Sequence, residues 1–142
     1  MAAKLYEILR AERLVAVKFG KHLTLDEVEK YARDLCADPG FEPTFSEIVD
    51  LSEVENVEID AKHALQLADR IDPFARSALR AFVAYSPAQI HTARMHQLLR
   101  GLEDNFGIFA SMEEALAWVR KKREAETPDN APPKSFSARS GI

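Results

Sequence analysis

The stretch LRAFVAYSPAQ, residues 79–89, passes from a strand pattern directly into a helix start. Its first seven residues are the clearest strand in the sequence, and SPAQ then has the pattern of a capping box. Ser86 is the predicted cap, Pro87 occupies the first helical position, and Gln89 can return its side chain to the cap. A strand that turns tightly into a helix is the building unit of α/β folds.

The same order recurs on both sides of this stretch. The other predicted elements are strands at 13–19, 45–52 and 105–109, and helices that begin after Thr24, Asp60 and Ser111. The preceding segment LYEILRAE is assigned as an edge strand that forms a hairpin with the next strand. The prediction is a ββαβαβαβα domain, with a single mixed, mostly parallel five-stranded sheet, an antiparallel edge strand and about four helices.

Length and composition favour one globular domain, because the chain has 142 residues, 46% of them hydrophobic and 30% charged. The domain is assigned to residues 1–123. Residues 124–142 contain three prolines and few large apolar side chains. We therefore predict that they form a disordered tail or dock on a partner.

The charge pattern argues against nucleic acid as a partner, since the formal net charge is -4 and the basic residues are scattered. No apolar run approaches the length of a membrane span, so we expect a cytoplasmic protein without membrane insertion. Cys36 is the only cysteine, which excludes an intrachain disulfide and a cysteine-based zinc cluster. We expect it to be a buried structural thiol.

Candidate binding residues lie where parallel strands end, because ligands of such sheets meet the carboxyl edge. Two turns, 50–60 and 85–89, should form that edge. The helix after Ser86 carries His91, Met95, Leu98 and Leu99 on its apolar face, which predicts that His91 points to the sheet or a cavity while His96 lies near the rim. The ligand-binding or partner-binding candidates are Ser52, Asp60, Ser86, Gln89, His91 and Met95.

No catalytic set, metal site or cofactor is predicted. His91 and His96 are about 140° apart on a helix, unlike a chelating i, i+4 pair, and no nucleotide-phosphate loop is visible. A serine-dependent hydrolase, with Ser86 as nucleophile and His91 as base, remains a third possibility, although a capping serine already has a backbone role.

Five segments follow one another along the chain: GKHLTLDEVEKYARDL, IVDLSEV, LRAFVAYSP, ARM and IFASMEEALAWV. Together they resemble the SpoIIAA-like family of small bacterial proteins, and the likeness covers residues 4 to about 122. That family is related to STAS domains and, in fold, to CRAL-TRIO lipid-binding domains. The resemblance implies a non-catalytic regulatory or protein-interaction module, with a carrier or sensor of a small apolar or amphipathic ligand as the alternative. An edge strand also makes a homodimer possible.

The phosphorylation switch of STAS-type anti-sigma-factor antagonists depends on a serine in an Asp-Ser-Ser-Gly turn. If Asp60 matches the aspartate of that motif, Ala61 and Lys62 occupy the serine positions, and no serine occurs between Ser52 and Ser77. A phosphate needs a hydroxyl to carry it. We therefore expect this protein to lack the switch.

Overall fold

A computed structural model describes residues 5–59, 62, 72–101 and 104–125. Its strands are β1 (Tyr6–Leu9), β2 (Leu14–Lys18), β3 (His22–Thr24), β4 (Ser46–Asp50), β5 (Asn56–Glu58), β6 (Arg80–Val83) and β7 (Phe106–Phe109). Its α-helices in these ranges are α1 (Leu25–Cys36), α2 (Pro87–Arg100) and α3 (Met112–Ala125), and a short 3-10 helix spans Arg10–Glu12.

The main sheet has five strands in the order β1-β2-β4-β6-β7. β1 runs antiparallel to β2, and the other pairs are parallel. This confirms the predicted mixed sheet with an antiparallel edge strand. Every residue of β4 and β6 is buried, as expected for central strands covered on both faces.

A second, two-stranded sheet was not predicted. In it β3 pairs in parallel with β5. Each strand has only three residues, which is too short for the alternating pattern that identifies a half-buried strand. In addition, all three residues of β5 are exposed. The helix predicted after Asp60 lies outside the described residues except for Lys62, and so does the tail beyond Ala125.

The three predicted helix caps that lie within the described residues are present, and the cap predicted at Asp60 lies outside them. Ser86 forms a complete capping box with Gln89. Thr24 Oγ1 accepts a hydrogen bond from Glu27 N at 3.2 Å, and Ser111 Oγ accepts one from Glu114 N at 3.1 Å. These caps fix the points at which the chain leaves a strand and enters a helix.

The two faces of the main sheet carry separate cores. Because side chains alternate along a strand, Val49 and Phe82 face the core that includes Tyr31 of α1 and Ala93 of α2, whereas Ile48 faces the core that includes α3. Glu47 and Arg80 precede Val49 and Phe82 by two residues on their strands. They therefore project to the side of α1 and α2.

Two burial predictions are wrong. Cys36 is exposed, because it follows the fully buried Leu35 by one helical position and so points about 100° away from the core. Leu98 was assigned to the inner face of α2 but is 75% exposed. The buried face of this helix instead runs through Gln89 and Ala93.

No helix in the described ranges combines the length and the apolar character that a membrane crossing requires.

Candidate functional site

A cavity of about 300 Å³ lies on the sheet face that is covered by α1 and α2. Most of its wall is apolar and comes from both helices, the central strands and the short β3–β5 sheet. The apolar lining residues are Phe19, Leu23, Val28, Ala32, Val49, Leu51, Val57, Ile59, Pro73, Phe74, Phe82, Met95 and Leu99.

One wall of the cavity is charged, and its centre is Arg80, which is only 2% exposed. Its Nη2 donates to both carboxylate oxygens of Asp72 at 2.7 Å. Its Nη1 lies 3.3 Å from His96 Nε2 and 3.9 Å from Glu47 Oε1. The remaining donor, Nε, is buried without a hydrogen-bond partner among the described residues.

Parallel pairing brings the two charged strand residues together, because Glu47 and Arg80 are register partners in neighbouring strands. Tyr31 of α1 completes this wall by donating its hydroxyl to Glu47 Oε2 at 2.7 Å. We call Tyr31, Glu47, Asp72, Arg80 and His96 the polar wall. All five line the cavity.

Burial dominates the electrostatics of the Tyr31–Glu47 pair. It raises the pKa of Glu47, although the nearby Arg80 charge and the Tyr31 hydrogen bond oppose the shift. Burial and the Glu47 charge both hold the pKa of Tyr31 well above its usual value. Tyr31 therefore acts as a hydrogen-bond donor, and Glu47 favours its neutral form more than an exposed carboxyl would.

Aromatic rings hold the polar wall in position. The Arg80 guanidinium lies over the Phe74 ring, 5.1 Å from its centroid. The rings of Phe82 and His96 are 5.3 Å apart. These contacts limit the rotamers available to Arg80 and His96 and keep their polar atoms at the cavity.

The predicted binding residues divide between two places. His91 and Met95 line the cavity, whereas Ser52, Ser86 and Gln89 line a separate, shallower groove. Asp60 lies outside the described residues. The structure thus does not bring Ser86 and His91 to one site.

The side chain of Gln89 joins the two turns at the carboxyl edge. Its Oε1 accepts from the backbone N–H groups of Tyr85 and Ser86 at 2.7 and 3.2 Å, and its Nε2 donates to Val54 O at 2.9 Å. Because this residue is only 5% exposed, its amide positions the backbone of both turns. Gln89 and Ala93 are the buried residues in the described part of α2 and show how this helix is rotated against the sheet.

That rotation changes the roles predicted for the two histidines. His91 lines the cavity but is exposed, whereas His96 is half-buried and reaches Arg80. The contact of His96 with Arg80 was not predicted from the sequence. Sequence periodicity could not resolve the rotation, because the apolar residues Ile90, Ala93, Met95, Leu98 and Leu99 spread around more than half of the helix circumference.

Four polar-wall residues, Tyr31, Glu47, Asp72 and Arg80, were not singled out by sequence reasoning. One signal was available for Glu47 and Arg80, since each is a charge within a strand that otherwise reads as fully buried. Such charges need partners. Nothing in the sequence pattern indicates that Asp72 and Tyr31 are those partners, because only the fold brings them together.

The parts of the chain that the structure describes contain no group of three or more His, Cys, Asp or Glu side chains that could hold a metal ion.

No protein-family model matches this sequence, and no curated protein matches it. The fold is similar to the crystal structure of an uncharacterized protein of the DUF3478 family from Shewanella loihica, which is described as having a SpoIIAA-like fold. The match has a TM-score of 0.55 at 18% sequence identity and covers 84% of this chain and 98% of that chain. At this identity the likeness extends to the fold and not to function. The chain has a SpoIIAA-like fold.

Proposed function

We propose that this protein binds a small amphipathic molecule in the cavity between the sheet and helices α1 and α2, as a carrier or sensor of that molecule. The observation that carries the proposal is the cavity itself, with a volume of about 300 Å³, an apolar lining and one polar wall. Protein interiors are packed as densely as organic crystals, so an apolar space of this size is unusual in a core.

The size of the cavity fits a ligand larger than a single aromatic ring. An apolar cavity of about 150 Å³ is enough to bind benzene. Small-molecule sites begin at about 300 Å³ and combine an apolar lining with a few polar groups that orient the ligand. The polar wall supplies such groups, and His91 and Thr92 add two more to a lining that is otherwise apolar, which suits a molecule with an apolar body and a polar group.

Native mass spectrometry of the freshly purified protein tests this proposal, followed by denaturing extraction of any bound molecule. We expect a reproducible extra mass that leaves with the protein and is released on unfolding. A clean apo mass, together with no binding of the neutral fluorophore N-phenyl-1-naphthylamine, would contradict ligand binding.

Protein binding at the carboxyl edge is a second candidate, and it is favoured by apolar side chains exposed beside the groove. Tyr85 is 56% exposed at the turn before α2, and Ile90 is also exposed. The groove that contains Ser52 and Ser86 lies between the same two turns. Affinity capture with the native protein and with a Tyr85→Ala, Ile90→Ser variant tests this role, which requires that a partner be retained by the native protein alone.

A further inference from the structure

We infer that the cavity opens to solvent between β5 and helix α2, and that the ligand lies with its polar end at this opening, where His91 donates a hydrogen bond to a ligand oxygen. This inference rests on the proposed function, because it concerns how a ligand lies in the same cavity. It is drawn from the exposure of the lining residues and from the hydrogen bonds that they already make.

Two lining residues mark the opening. Among the lining residues that the structure describes, only Val57 of β5, which is 37% exposed, and His91 of α2 are exposed to solvent. Gln89 joins the two elements at this point, because its Nε2 donates to Val54 O at 2.9 Å. Val54 precedes Val57 by three residues, and Gln89 precedes His91 by two. The cavity therefore reaches solvent between these two elements.

The polar groups inside the cavity are already paired with one another. Tyr31 donates its hydroxyl to Glu47 at 2.7 Å. Arg80 Nη2 donates to both Asp72 oxygens at 2.7 Å, and Nη1 lies 3.3 Å from His96 Nε2. Arg80 is also only 2% exposed, so its neighbours cover most of its guanidinium. A ligand that bound this wall would have to break one of these contacts, at the cost of a buried polar group left unsatisfied.

The ring nitrogens of His91 are available to a ligand. The ring has no hydrogen-bond partner within the described parts of the chain, whereas the neighbouring Thr92 donates its hydroxyl to Ala88 O at 2.9 Å. An imidazole carries at least one N–H group whether it is neutral or protonated. It can therefore donate to the oxygen of a hydroxyl, an ether, a carbonyl or a carboxylate.

The helix carries the site inward from His91. Met95 and Leu99 follow His91 by four and eight residues, so they lie on the same side of α2, and both line the cavity. The apolar body of the ligand packs against them, while its polar end stays hydrated at the opening and avoids the cost of desolvation. The ligand class is an amphipathic molecule with an oxygen-bearing end, whose head group is not limited by the volume of the cavity.

Two compounds that share one alkyl chain test where the polar end lies. N-phenyl-1-naphthylamine is bound first and is then displaced with 1-octanol or with triethylene glycol monooctyl ether, kept below its micelle concentration. We expect both to displace it at concentrations within about threefold of each other, because the longer head group extends through the opening into water. A loss of about tenfold or more for the ether would overturn the inference while leaving ligand binding intact. Failure of N-phenyl-1-naphthylamine to bind at all would overturn both.

A matched pair of variants tests the donor at the opening. His91→Gln and His91→Met introduce side chains of similar length, but only glutamine keeps an N–H donor. We expect 1-octanol to bind His91→Gln about as well as the native protein and to bind His91→Met about fivefold more weakly. Circular dichroism verifies that both variants are folded. Equal affinity of 1-octanol for the two folded variants would overturn the role of His91.

Discussion

Arg80 and Asp72 form a buried ion pair in which one guanidinium nitrogen, Nη2, lies 2.7 Å from both carboxylate oxygens. The pair joins Arg80 on the central strand β6 to Asp72, which lies eight residues earlier in the chain. The Arg80 guanidinium also lies over the Phe74 ring. A buried pair of this kind contributes little net stability by itself, but removing one partner leaves an uncompensated charge in the interior.

Arg80→Met should therefore destabilise the protein by about 3 kcal/mol, as measured by urea denaturation at neutral pH. The matched control is Arg120→Met, which removes a guanidinium paired with Glu12 at an exposed position. That change should leave the midpoint within experimental error, because solvent screens exposed ion pairs. Equal effects of the two substitutions would show that the Arg80 pair is not buried in solution.

The titration of Glu47 should appear in the pH dependence of stability. Burial raises its folded pKa above the ordinary value of 4.5, so the folded state holds a proton that the unfolded state releases. Stability from this group is complete below about 4.5 and falls as the pH rises through the folded pKa. Glu47→Gln has no proton to lose in this range, so it removes this loss of stability. Each unit by which the folded pKa of Glu47 exceeds its unfolded pKa corresponds to about 1.4 kcal/mol in the free energy of unfolding.

The free energy of unfolding of Glu47→Gln, relative to the native protein, should therefore increase with pH above about 4.5. Denaturation curves from pH 4 to pH 8 measure this difference. A difference between the two proteins that stays constant across that range would contradict the raised pKa.

Gln89→Ala should destabilise the protein by about 2 kcal/mol, because it leaves Val54 O and the N–H groups of Tyr85 and Ser86 without their amide partner. Gln97→Ala, on the same helix, removes only an exposed hydrogen bond with Arg94 and should have a much smaller effect. Thermal and urea denaturation compare the two variants. Similar losses in both would indicate that Gln89 does not hold the turns together.

Cys36 provides a test of how α1 is rotated against the sheet. Because this single cysteine is exposed, a thiol reagent such as dithionitrobenzoate should titrate one thiol per chain in the native protein. The denatured protein should give the same yield. A thiol that reacts only after denaturation would place Cys36 in the core instead.

The local elements of this fold were readable from the sequence because their signals are local. A capping box at Ser86 and a buried strand within 79–85 predict where the chain turns; the structure confirms the cap and has the strand at Arg80–Val83. The β3–β5 pair was missed because three-residue strands carry no periodicity. The polar wall was missed because Tyr31 and Glu47 are 16 residues apart in sequence, and only the packing of α1 on the sheet brings them together.

The central claim, that the cavity holds a ligand, is tested most directly by filling it. Leu99 lines the cavity, whereas the adjacent Leu98 is exposed and does not, so Leu99→Trp and Leu98→Trp form a matched pair. Titration with N-phenyl-1-naphthylamine should show binding to the native protein and to Leu98→Trp, and a loss of at least about tenfold in affinity for Leu99→Trp. Met95→Trp, a second filling variant, should repeat that loss. Unchanged binding to both filling variants, with their folds intact, would contradict a ligand site in the cavity.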